Sequence, residues 1–374
     1  MPSGPLLVLL PSPVISGAEA VAYRVVGRAV ERGLDVIVAA PPGVASERAE
    51  QAGAEVVRIP SLQRGSGGAA RAAVETGARD LRALATLVPL VWRRKVRTVI
   101  VNGALALPVA AGLRRLGPGL EVAWLVHDVF HRPTWLRLAR VHRPFVDRAV
   151  AVSRAAASPL VELGYRVEVA PNGTAWPVEP AAFPPPEPPI VGCAALLTPW
   201  KGQDLLLEAV RRCKGLDAVR IELLGGSFPK DSAFVARLEA LASLPGLAGR
   251  VRLLGHSDDP LRVMRRWTAA VVASRDPEAG PLVLLEYLSL GLPVIAPEAG
   301  ACAELLGGVG VLYPPGDVDA LGAALGRVVA DAEWRASRHR LGRASVERSF
   351  VAEPCADRQL DCLLGSMAHD PLPC

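Results

Sequence analysis

The 374-residue sequence predicts an α/β protein made of two doubly wound parallel sheets, and three observations predict it. Short apolar runs recur along the chain, separated by longer amphipathic stretches, as strands buried on both faces alternate with the helices that cover them. A break at Trp176–Pro189, with seven prolines in fourteen residues, divides the chain and reads as a stiff linker. The rhythm restarts beyond that break, and a chain that is 51% apolar can fill two cores, each of roughly 150–200 residues. The expected organisation is a first domain over residues 1–175, the linker 176–189, a second domain over 190–350, and a helical segment 351–374 that packs back toward the first. The two sheets are expected to face each other across a cleft.

The elements follow in order. Leu6–Leu10 is a strand, Ser16-Gly17 turns the chain into a helix over Ala18–Arg32, Gly33 ends it, and Leu34–Ala39 is the next strand. Glu55–Ile59, Thr98–Val101, Glu121–Val126, Arg148–Val152 and Val167–Ala170 repeat the strand signal. From Ser61 to Gly77, around Gly65-Ser66-Gly67-Gly68, the composition turns to glycine and alanine, and a mobile loop is expected. After the break come Ile190–Ala195, a helix from Lys201, Val219–Leu224, a helix over Ser232–Ala242, Val251–Leu254, Ala269–Ala273, a helix from Leu282, Pro293–Ala296 and Val309–Leu312. Helices close the chain. Ligands of such sheets bind beyond the carboxyl ends of the strands, so the segments that follow strands are where function is sought.

Charge is unevenly shared. Residues 1–176 carry 22 Lys+Arg against 13 Asp+Glu, a net of +9, and the rest carry 20 against 24, a net of −4. A basic first half suits an anionic or polar partner, although solvated surface charge explains it equally well. Arg93-Arg94-Lys95-Arg97, beside Leu90 and Trp92, fits docking on anionic lipid or the solvated end of a helix. A contact with a carrier protein is also compatible; a nucleic-acid partner is not expected. Cys193, Cys213, Cys302, Cys355, Cys362 and Cys374 have neither paired nor zinc-ligand spacing, which implies reduced thiols in a cytoplasmic protein. The apolar N-terminus lacks a preceding positive charge and makes a poor signal peptide. Thr98–Leu113 is the most membrane-like run, but it is shorter than the ~20 residues that span a bilayer.

The segment Glu278-Ala279-Gly280-Pro281-Leu282-Val283-Leu284-Leu285-Glu286 follows a strand and enters a helix. The unpaired amides and dipole of a helix N-terminus make an anion site, and Pro281 suits the first turn. Glu278 and Glu286 are too far apart to act as an acid and base on one atom. They suit hydroxyl groups at the two ends of a diphosphate. Ordinary helix-start glutamates are the plain alternative, but Glu286 sits in an almost wholly apolar helix, where a lone carboxylate is costly.

E-x7-E ahead of Gly291-Leu292-Pro293-Val294 resembles the hallmark of glycosyltransferase family 4, retaining enzymes of the glycosyltransferase-B fold. Ser16-Gly17-Ala18-Glu19, His127-Asp128, Ser153, Pro171-Asn172-Gly173, Trp200-Lys201-Gly202-Gln203-Asp204, Leu254-Gly255-His256 and Pro315-Gly316-Asp317 resemble the family's landmarks in the same order. The resemblance implies two Rossmann-like domains and a nucleoside-diphosphate sugar, UDP- or GDP-linked, as donor. It assigns Lys201 to the donor diphosphate, Glu286 to the ribose, and Glu278 to hydroxyls of the transferred sugar, with the Gly280 and Leu282 amides nearby. Gly17, preceded by Ser16, lets backbone approach the phosphates, and His127 lies beside the reacting sugar. His127 also reads as a core histidine at a strand end.

Two positions depart from the family pattern. Leu196 replaces an arginine five residues before Lys201, and Arg275 is the expected substitute cation; Ser16 replaces the first glycine of its loop. Asp317-Val318-Asp319 spells a metal-binding D-x-D but reads as a helix start, so neither a metal nor another cofactor is expected. The implied reaction is transfer of a hexose with retention of configuration. The acceptor is expected to be a natural-product intermediate, a lipid or a glycan, with a peripheral membrane location possible. A sugar-nucleotide 2-epimerase of the same fold and an inactive nucleotide-sugar-binding protein are the rival readings.

Overall fold

The computed structural model describes residues 4–14, 16–63, 69–117 and 119–366. The chain forms two compact units, Met1–Asn172 with Ala352–Cys374, and Gly173–Val351.

In the first unit β1 (Leu6–Leu9), α1 (Gly17–Glu31), β2 (Val36–Ala40), α2 (Val44–Gln51) and β3 (Glu55–Arg58) are followed by the long α3 (Ala69–Arg94). Then come β4 (Thr98–Asn102), α4 (Leu107–Leu116), β5 (Glu121–Val126), α5 (Pro133–His142), β6 (Arg148–Ala151), α6 (Arg154–Glu162) and β7 (Val167–Val169). The strands form one parallel sheet in the order β3-β2-β1-β4-β5-β6-β7. Every residue of β1, β2 and β4 is buried, as their unbroken apolar runs require.

The glycine-rich stretch differs from its expected form. Arg64–Gly68 lie outside the described residues, and Ala69–Gly77 begin α3 rather than continuing a loop. Alanine is the strongest helix former, and one glycine at Gly77 does not outweigh its alanine neighbours.

The second unit has β8 (Ile190–Ala194), α7 (Gln203–Arg212), β9 (Arg220–Leu224), α8 (Ser232–Ala242), β10 (Val251–Gly255) and α9 (Pro260–Met264). It continues through β11 (Ala269–Val271), α10 (Leu282–Leu290), β12 (Val294–Pro297), α11 (Cys302–Leu306), β13 (Val311–Tyr313), α12 (Val318–Ala330) and α13 (Ala332–Ser349). Its parallel sheet has the order β10-β9-β8-β11-β12-β13. From β8 the chain moves outward to β9 and β10, then returns to the other side of β8 for β11. The gap between β8 and β11 is therefore the topological switch point, where sheets of this kind open a crevice. In the first unit the same reversal falls between β1 and β4.

One buried charge organises this core. Glu222 of β9, 2% exposed, accepts from Trp267 Nε1 at 2.8 Å and from the Arg266 guanidinium at 2.9–3.0 Å. Trp267 reaches it by lying against β8 at Gly192, where a Cβ would stand 2.0 Å from the indole. A buried carboxylate is tolerable because each of its oxygens has a donor.

The proline-rich stretch belongs to the second unit and is packed onto its core, not a bare spacer. Ala181 is 5% exposed and donates its N–H to Leu290 O, Ala182 donates to Arg265 O, and Trp176 and Val178 lie on the same cluster. Apolar residues interleaved with the prolines have surface to bury, which a proline count alone does not reveal.

The chain then returns to the first unit as α14 (Ala352–Leu364). Arg28 of α1 grips Asp357 through two bonds of 2.9 Å, and Arg32 reaches Asp357 and Asp361 at 2.6 Å. The Arg28 and Arg32 guanidinium groups hold the Asp357 carboxyl below its ordinary range. Among the described residues no helix is long and apolar enough to cross a membrane, and Thr98–Leu113 is divided between β4 and α4. Asp317 caps α12 by accepting from the Asp319 and Ala320 amides, so the D-x-D is a helix start.

Candidate functional site

In the second unit the segments leaving β8 and β11 meet. After β8 the chain makes a 3-10 turn at Pro199–Lys201 and α7 begins at Gln203, two residues later than the helix expected from Lys201. Gly202 separates the two with φ +65°, and a Cβ there would lie 2.1 Å from Ala273 O. Only glycine lets the turn settle so closely on the end of the β11 segment. The result is that Lys201 Nζ lies 2.7 Å from Glu278 Oε1, with the two side chains 14% and 10% exposed. Lys201 Nζ also stands 3.9 Å from the centre of the Trp200 ring, a cation–π contact.

Glu278 is held from two further sides. Ser274 Oγ donates to its Oε1, and Ala301 N–H donates to its backbone carbonyl at 2.8 Å. Gly300, at φ +58°, comes so near that a Cβ would sit 2.2 Å from that carbonyl. Ser274 and Gly300 were not singled out from sequence, and Trp200 and Gly202 only as members of the Trp200–Asp204 motif. The two glycines had a signal, since each ends a short post-strand segment where a left-handed turn is common.

Gly280 is half-buried on the same segment, and α10 begins at Leu282 with Pro281 at its cap, one position before the first helical residue. Glu286 lies one turn into α10 and is half-buried. Glu278 and Glu286 thus occupy a loop and a helix, as their spacing implies.

Arg275, expected as the substitute cation, is paired within the second unit. Its Nη1 and Nη2 form a two-pronged bond with Asp204 at 2.7 and 3.0 Å, and Nη1 also donates to Pro199 O at 2.8 Å. Asp204, 5% exposed on the first turn of α7, engages the guanidinium that the sequence offered in place of the cation missing at Leu196. Two thiols near the Lys201–Glu278 pair are inert: burial raises both Cys193 and Cys302 to about 12, leaving no thiolate nucleophile at neutral pH.

The first unit carries the remaining predicted residues, Ser16 and Gly17 after β1 at its switch point and His127 after β5, one strand beyond β4. Ser16 caps α1: its hydroxyl accepts from Ala18 N–H, and the Glu19 carboxylate takes the Ser16 amide at 3.0 Å and its hydroxyl. The serine in place of glycine is half of a capping box, with Gly17 the first helical residue. His127 follows β5, and its Nε2 lies 2.8 Å from Oδ1 of Asn102, a 1%-exposed residue that ends β4. With Asn102 Oδ1 as the acceptor, Nε2 carries the proton and Nδ1 presents a lone pair. Asp128 beside it is pushed above its ordinary range by burial and by the nearby Glu19 carboxylate.

Burial lowers His127 from 6.5 to about 4. A depressed folded-state value favours the neutral ring, so the associated stability is present above 6.5 and is lost as pH falls toward 4. We expect nitrogen-15 spectra to show a neutral, Nε2-protonated His127 down through pH 6.5. A ring that titrates there like an exposed histidine contradicts this placement.

Comparison with known proteins follows the same division. Residues 15–175 match the model of "Glycosyltransferase Family 4" and residues 188–331 that of "Glycosyl transferases group 1". The lipopolysaccharide core biosynthesis glycosyltransferase LpsE of Rhizobium meliloti is 28% identical over 181 residues, 48% of this chain and 51% of that protein. The GDP-mannose-dependent alpha-(1-6)-phosphatidylinositol monomannoside mannosyltransferase of Mycolicibacterium smegmatis is 28% identical over 166 residues, 41% of this chain and 42% of that one. The chain spans about half the length, or less, of the curated relatives it matches. Among solved structures, Anabaena HepE in complex with UDP and glucose superposes with a TM-score of 0.82 at 22% identity, covering 97% of this chain and all of HepE. The sheets, the order of the motifs and both family models agree: the chain belongs to the group 1 glycosyltransferases of family 4, with the Rossmann-like domains of the glycosyltransferase-B fold.

Proposed function

We propose that the protein is a retaining glycosyltransferase that moves a hexose from a UDP- or GDP-sugar to a nucleophile on a polar or anionic acceptor. The observation that carries this reading is the Lys201–Glu278 pair at the switch point of the second unit. A cation and a carboxylate held together there suit a diphosphate and the hydroxyls of the sugar attached to it. In this scheme Lys201 takes the diphosphate, Glu278 the sugar, Glu286 the ribose, and the Gly280 and Leu282 region the phosphate oxygens. Ser16, Gly17 and His127 serve from the first unit. HepE, a structural neighbour, was crystallised with UDP-glucose, and the mycobacterial relative uses GDP-mannose, so both nucleotides are worth testing.

The bond between the anomeric carbon and the diphosphate oxygen breaks, and its electron pair leaves with the nucleoside diphosphate. Lys201 stabilises the growing negative charge, as preorganised donors do at an oxyanion. The acceptor attacks the same face of the sugar and yields its proton to the departing phosphate. The scheme needs no carboxylate pair of the glycosidase kind and no metal. The basic first half, net +9 over residues 1–176, is compatible with an acceptor that carries phosphate, and the acceptor classes proposed are a lipid, a glycan and a natural-product intermediate.

Thermal-shift screening with UDP- and GDP-sugars, followed by mass spectrometry and NMR of products from acceptor mixtures, tests the proposal. Stabilisation by one donor class and a product of unchanged anomeric configuration are expected. An inverted product removes the retaining mechanism, conversion of donor alone to its C2 epimer indicates an epimerase, and binding without turnover indicates a binding protein.

A further inference from the structure

Arg275 ties together three pieces of the second unit. Its backbone N–H donates to Trp200 O at 2.8 Å, Nη1 to Pro199 O at 2.8 Å, and both prongs of its side chain hold Asp204. Pro199 and Trp200 form the turn that ends in Lys201, Asp204 stands on the first turn of α7, and Arg275 itself precedes Glu278 by three residues. A two-pronged arginine–carboxylate pair sets orientation as well as distance, which a lysine cannot reproduce. Arg237 adds a second cation to Asp204 at 3.1 Å, so that carboxylate, 5% exposed, is firmly anchored.

We propose that Arg275 is a positioning residue of the donor site. Clasping Asp204, it fixes the Lys201 turn against the segment that carries Glu278 and so sets where the cation meets the diphosphate. The clasp acts through Lys201, and the inference rests on the reading of Lys201 as a diphosphate ligand. The competing role is direct contact of Arg275 with the diphosphate. The two differ in how they couple to Lys201 and in the sign of the effect at Asp204. If Arg275 touched phosphate, freeing it from Asp204 and removing a nearby negative charge would strengthen binding. If it works as a clasp, the same change weakens binding.

UDP and GDP binding to the full chain, measured by calorimetry for wild type, Arg275→Lys, Lys201→Ala, the double variant and Asp204→Asn, separates these roles. With whichever nucleotide binds, Arg275→Lys is expected to weaken affinity about tenfold in the otherwise unchanged chain. In the Lys201→Ala background it should change affinity by less than about twofold, because coupled residues are not additive. Asp204→Asn is expected to weaken binding as Arg275→Lys does. Equal losses in both backgrounds, an unchanged Arg275→Lys variant, or tighter binding by Asp204→Asn overturns the positioning role while leaving the site in place. A wild-type chain that binds neither nucleotide, or a Lys201→Ala variant that binds like wild type, overturns the reading of the site beneath it.

Discussion

Replacing Lys201 by alanine is expected to reduce sugar transfer by about 10²–10³-fold, the loss seen when one preorganised donor is taken from a developing oxyanion. The magnitude follows from position. Lys201 is mostly enclosed, at 14% exposure, so its charge acts in a medium that screens it less than water does. Arg275 is engaged with Asp204, and Leu196 brings no charge, so neither takes over the role. The fold should persist, because Lys201 lies in a turn at the sheet's end, outside the strands and the α-helices. The substitution does strand Glu278, which keeps its bond from Ser274 but loses its ammonium partner, and a destabilisation of about 1–3 kcal/mol is expected from that. Steady-state rates with a saturating donor, set beside the melting temperature, separate the two effects. Wild-type turnover in a folded variant removes Lys201 from the mechanism.

Lys201 and Glu278 were both legible because each follows a buried strand, and strand ends are where a doubly wound sheet presents ligands. Their contact was not legible. It depends on Gly202 packing on the Ala273 carbonyl beyond β11 and on Gly300 packing on the backbone of Glu278, approaches between segments distant in sequence. Arg275 was read as the substitute for the cation missing at Leu196, and its pairing with Asp204 was not foreseen. Its partner Asp204 lies 71 positions earlier, so no local pattern joins the two. Ser16-x-x-Glu19 shows the opposite case, since the capping box was readable from spacing alone. Trp176–Pro189 was read by its prolines, whereas its Trp176, Val178 and Ala181 decide where it packs. Local chemistry was therefore readable; pairings made by long-range packing were not.

Glu278→Gln is expected to move two measurements in opposite directions. Transfer should fall by about 10²-fold or more, because the amide cannot accept from the sugar hydroxyls as a carboxylate does. Free UDP or GDP, by contrast, should bind about tenfold more tightly, a change of about 1.4 kcal/mol. The reason lies in the 2.7 Å contact between Lys201 and Glu278. An incoming diphosphate must share a cation that a carboxylate already occupies, and that carboxylate also repels it. Glutamine removes the competitor and the repulsion while keeping nearly the same shape. A nucleoside diphosphate sugar should gain less than the free nucleotide, because its hydroxyls lose the partner that the diphosphate no longer competes with. The difference between the two ligands thus measures what Glu278 contributes to the sugar. Calorimetric titration with UDP and UDP-glucose, or their GDP counterparts, reads it directly. If Glu278→Gln instead weakens free nucleotide as much as Lys201→Ala does, the carboxylate serves to hold the lysine in place, and its assignment to the sugar fails.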